Sequence, residues 1–136
     1  MKQKLINGSI LLMVIFLTTG FISMQSGIKT NIPAEYKQKV NPFKGDETLK
    51  MTGLRNYNRH CVSCHGKTGL GDGVMSANLK MPPGNLTSAD MKKYTDGEIY
   101  YMSFVGEGER PDLMKIIASE EDKWAVVNYV RTLQKE

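Results

Sequence analysis

Residues 60–66, His-Cys-Val-Ser-Cys-His-Gly, hold both cysteines and both histidines of this 136-residue chain. Two thiols three positions apart, followed at once by an imidazole, fit C-x-x-C-H, the attachment signature of c-type haem. The spacing has a mechanical reason. On one helical turn, Cys61 and Cys64 can reach the two vinyl groups of a single porphyrin, and His65 can then offer its imidazole to the iron as proximal ligand. Three other chemistries compete for the same residues. A Cys61–Cys64 disulfide suits an oxidising compartment, although pairs three apart are more often redox-active than structural. A thioredoxin-like dithiol needs a βαβ context, and no run here alternates at period two. A zinc site needs about four ligands, and the chain has no cysteine or histidine outside this stretch. Haem attachment is the expectation carried forward. His60, beside the first cysteine, is expected at the surface or near a propionate, out of reach of either axial position.

The elements around the motif must position it. Asp46 and Glu47 open a helical pattern in which Leu49, Leu54, Tyr57 and Cys61 recur at helical spacing, so this helix delivers its last turn into the motif. Residues 66–86 are rich in glycine and proline and predict a long irregular loop. Thr95 to Glu98 form a capping box that starts a short helix ending at Gly106. Ser119 to Asp122 start the clearest helix, with Trp124, Val127 and Val130 on one stripe and Val126, Tyr129 and Leu133 on the next. The expected fold class is all-α, with a domain over 46–136 that gains stability from a large apolar cofactor.

The stretch from Tyr57 to Asp90, with CxxCHGxxGxGDG at its start, resembles the bacterial monohaem class I c-type cytochromes, and residues 120–133 resemble their closing helix. That resemblance runs from about Glu47 to the C-terminus. It implies a small helical fold wrapped around one covalent haem c, with the first helix crossing the last through Gly53, Tyr57 and Tyr129. It also implies that the Pro83 carbonyl accepts the proton on the far nitrogen of His65, a bond that orients the ring. Counting back fourteen residues from Trp124, where the family carries its iron-binding methionine, lands on Arg110, followed by the expected Pro111. Arginine stays protonated and offers the iron no lone pair. Met114, in the same loop, is the expected distal ligand, although the register turns it to solvent. Met102 and Met81 are the alternatives, and an open sixth position is the third outcome.

The N-terminus sets the compartment. Lys2 and Lys4 precede an apolar run within residues 5–22, which reads as a secretory h-region or a membrane anchor. Residues 1–26 are therefore expected to be a signal peptide or anchor and 27–45 an extended linker, with the domain on the periplasmic side, soluble or anchored to the cytoplasmic membrane. Setting aside Lys2 and Lys4 from the 18 basic residues leaves 16 against 14 acidic ones, no footprint for nucleic acid. No nucleophile–base pair or phosphate loop appears, so no enzyme chemistry is expected. The expected function is single-electron transfer between redox protein partners or within a respiratory membrane complex. An open iron would instead suit a module that binds nitric oxide or carbon monoxide. Lys67, Lys80, Lys92 and Lys93 flank the loop and could face an acidic partner, or simply form a solvated surface.

Overall fold

The computed structural model describes residues 31–106 and 111–135. The apolar N-terminal run and Arg110 lie outside the described residues, so the signal, the anchor and the arginine position are expectations from sequence. Among the described residues no helix is long and apolar enough to cross a membrane.

The described chain is helical with no strand, as expected for the all-α class. Asp46 caps a 3-10 turn over Glu47–Leu49 by accepting from the Thr48 N–H. That turn runs into helix α2, Lys50–His60, after the small helix α1, Ala34–Lys37. Cys61 breaks the helix, and a separate turn, α3, spans Val62–His65. Thr95 and Glu98 make both halves of the expected capping box at α4, Asp96–Tyr100. From Tyr101 to Val105 the same rod continues as a π-helix before stopping at Gly106. Helix α5 covers Leu113–Ile116, and α6, capped by Ser119, covers Glu120–Leu133.

Helix α2 lies against α6 as the resemblance implied. A Cβ on Gly53 would run into the Ala125 carbonyl, so only glycine lets the two backbones meet there. Beside that contact the Tyr57 and Tyr129 rings sit 5.0 Å apart. Both expected stripes of α6 face inward: Trp124, Val126, Val127, Val130 and Leu133 are buried, while Tyr129 is half-buried. Burying a side chain such as Val127 contributes about 1.5–3 kcal/mol. Leu113 and Ile117 are buried too.

The segment read as an extended linker folds onto the domain. Over residues 31–45 the chain forms α1, buries Ile32 and Asn41, and lays Tyr36 on the Tyr100 and Tyr101 rings. Asn41 Nδ2 donates to Asp96 Oδ2 at 3.1 Å and to Asn128 Oδ1 at 2.8 Å, and Asn128 donates back to the Phe43 carbonyl at 2.6 Å. Two prolines and three lysines disguised this strap, because a few side-chain anchors leave no periodic pattern.

Candidate haem-attachment site

The attachment motif is held from behind. Helix α3 is too short to satisfy its own last carbonyls, and the glycine-rich loop supplies the missing donors. The N–H groups of Gly71, Gly73 and Met75 donate to the carbonyls of His65, Cys64 and Ser63 at 2.9, 3.1 and 2.8 Å. This near-contact of two backbones explains Gly73, where a Cβ would collide with the Ser63 and Cys64 backbone. Further along, Leu86 N–H donates to the Gly69 carbonyl at 2.7 Å, and Gln134 of α6 donates to the Leu86 carbonyl at 2.9 Å. At the other end, the buried Tyr57 hydroxyl donates to the Gly66 carbonyl at 2.8 Å. Burial, then the neighbouring Cys61, raise the Tyr57 pKa, so the hydroxyl keeps the proton that this bond needs.

Cys61 and Cys64 are both free thiols and half-buried. Burial, with a smaller contribution from Cys64, pushes the Cys61 pKa up to about 12. A thiol so reluctant to ionise is a poor attacking group at neutral pH, which argues against a redox dithiol. Among the described residues no group of three or more His, Cys, Asp and Glu could hold a metal ion. A zinc site built from protein ligands alone therefore has no donor set. A porphyrin brings four nitrogens of its own and asks the protein for one or two axial ligands.

His65 fits that demand. Burial lowers its pKa, so the ring is neutral at pH 7 with a lone pair to give. Its Nδ1 is buried and makes no hydrogen bond of good geometry. The Gly84 backbone nonetheless lies close enough to favour the protonated ring, as a carbonyl facing the N–H would. The resemblance implied the Pro83 carbonyl for this part, next in sequence to the Gly84 backbone that lies near the ring. Gly84 has φ +74° and packs against Gly71. His60 ends α2, half-buried, seven residues after Gly53 and on the same helix face.

The three methionine candidates separate by burial. Met81 is 60% exposed. Met102, in the π-helix, and Met114, in α5, are half-buried and packed against the core. Position 114 therefore does not turn to solvent as its register suggested, because α5 is a single isolated turn whose course is set by Leu113 and Ile117. The four lysines are exposed, and Lys93 is engaged by Asp90 at 2.7 Å.

Sequence reasoning missed a polar node behind the site. Arg131 donates to Asp96 at 2.7 Å, to the Tyr94 carbonyl at 2.6 Å and to Gln134 at 2.8 Å. The available signal was Asn128 and Arg131, polar residues three apart on a helix with two apolar stripes.

Two free thiols, a neutral half-buried imidazole next to them and, among the described residues, too few donors for any bare ion together fit a covalently held haem. No curated protein matches this chain. The family model described as Cytochrome c matches residues 51–134, a stretch that contains the whole C-x-x-C-H turn and its loop. The chain belongs to the cytochrome c family, haem-based electron carriers, and with them carries covalently attached haem c.

Proposed function

We propose that Cys61 and Cys64 hold the haem through thioethers, that His65 is the proximal iron ligand, and that the protein passes single electrons between redox partners outside the cytoplasm. One observation carries this reading: a neutral, half-buried His65 with a buried Nδ1 directly follows two free thiols on a turn whose carbonyls are tied down by the loop. The bound iron supplies a one-electron couple. The Gly84 and Pro83 backbone beside the buried Nδ1 would orient the imidazole, and the half-buried setting of His65 limits solvent on that side. On the far side Met114 is the proposed ligand, half-buried and packed against the core, with Met102 next in line. The apolar run at residues 5–22 supports export, as a cleaved signal or as an anchor to the membrane of a respiratory complex.

The test is haem extraction and carbon monoxide binding. Wild-type haem should stay with the denatured polypeptide, and Cys61→Ala with Cys64→Ala should release it into organic solvent. Extraction of all haem from the wild type overturns the assignment. In the reduced protein, slow carbon monoxide binding that quickens in Met114→Ala supports Met114. Rapid binding in the wild type instead favours an open site and the ligand-binding function.

A further inference from the structure

Residues 32–45 lie before the stretch that matches the family, yet they are fastened to the rod that carries Met102. The fastening is close. A Cβ on Gly97 would collide with the Tyr36 carbonyl and fall 2.6 Å from the Lys39 carbonyl, so the strap backbone rests directly on α4. The Gly97 φ is not positive, so glycine is there for space and not for conformation. Thr95 Oγ1 donates to the Lys37 carbonyl at 3.4 Å. Tyr36 packs at 4.8 Å from the Tyr101 ring and 6.4 Å from the Tyr100 ring, the two residues immediately before Met102. Lys39 Nζ lies 5.2 Å from the Tyr100 ring centre and 5.8 Å from that of Trp124.

The rod itself changes character where the strap grips it. Helix α4 is regular to Tyr100, and the next five residues are π-helical. A π-turn is rare, lacks the support of a regular helix and tends to occur at functional sites. It persists only where its surroundings hold it. Here the surroundings are the strap on one side and the core on the other, where Phe104 is buried and Met102 half-buried.

We infer that the strap is a positioning element for the haem's distal side: seated on Gly97 and Tyr100–Tyr101, it holds the π-turn so that Met102 and its neighbours restrict access to the iron. This rests on the haem reading above. Tyr36 and Gly97 act through the π-turn and touch no reacting atom themselves.

Gly97→Ala in the full-length holoprotein tests the seat. Alanine is the better helix former, so α4 itself is not weakened, and any effect on the distal side passes through the displaced strap. The readouts are trypsin cleavage after Lys37 and Lys39, covalent haem content, and carbon monoxide association to the reduced protein. The expected result is faster cleavage with unchanged haem content and association at least tenfold faster. Tyr36→Leu should behave in the same way and Tyr36→Phe, which keeps the ring, should restore both rates. Cleavage and association that do not change together, or neither changing in both Gly97→Ala and Tyr36→Leu, overturn the inference. If the unaltered chain lacks covalent haem, the haem reading fails first and takes this one with it.

Discussion

The loop over residues 66–86 and the strap over 31–45 look alike as sequence, each with two prolines, two or three lysines and no apolar period. They are held in opposite ways. The loop is bound by backbone to backbone: its N–H groups complete the carbonyls of the attachment turn, and many of its side chains point to water, Val74 being 86% exposed. The strap is bound by side chains, chiefly Ile32, Tyr36 and Asn41. A loop bonded through its backbone tolerates changed side chains but not added bulk between the two backbones. A strap pinned by side chains can lose its place through one truncation.

The comparison can be broken most sharply at Gly73. Gly73→Ala forces a methyl group between two hydrogen-bonded backbones and should destabilise the holoprotein by about 3 kcal/mol in urea unfolding. Val74→Ala, one residue on, should change stability by less than about 0.5 kcal/mol. Equal effects at the two positions would mean that the loop is not held by its backbone. Asn41→Ala should come next, at about 1–3 kcal/mol, because it leaves Asp96, Asn128 and the Phe43 N–H short of partners. A value near zero would remove the strap's main anchor from the account.

The smallest effect concerns the strap's charge. Burial works to raise the Glu120 pKa, but hydrogen bonds from Lys123 and Tyr100 and the charges of Lys123 and Lys39 bring it below the ordinary 4.5. A carboxylate with a lowered folded pKa adds stability above its unfolded pKa and loses it as pH falls through the folded value. Wild-type stability should therefore decline as pH drops below about 4.5, and Glu120→Gln should flatten that decline in pH-dependent unfolding. An unchanged acid limb would show that Glu120 is not its source.

Much of the site was legible in advance because covalent attachment imposes local spacing. Cys61, Cys64 and His65 must share one turn, and the capping box at Thr95 and the stripes of α6 are local patterns as well. The strap was illegible because its partners are far away in sequence: Asn41 meets Asp96 and Asn128 across 55 and 87 positions. Asn41 has no local feature that distinguishes it from a solvated loop residue. Met114 failed in register for a related reason, since a single turn such as α5 takes its direction from the core beneath it.

By itself the sequence determined the family's motif, two thiols and an imidazole within one short stretch, and that the chain around them is helical. Only the tertiary structure decided that residues 31–45 pack on the helices, which backbone segment lies near His65, and which methionines are half-buried. Bonding reach along one turn is a local constraint that residue spacing records. Burial and backbone approach depend on segments that meet only after folding, so single positions do not reveal them.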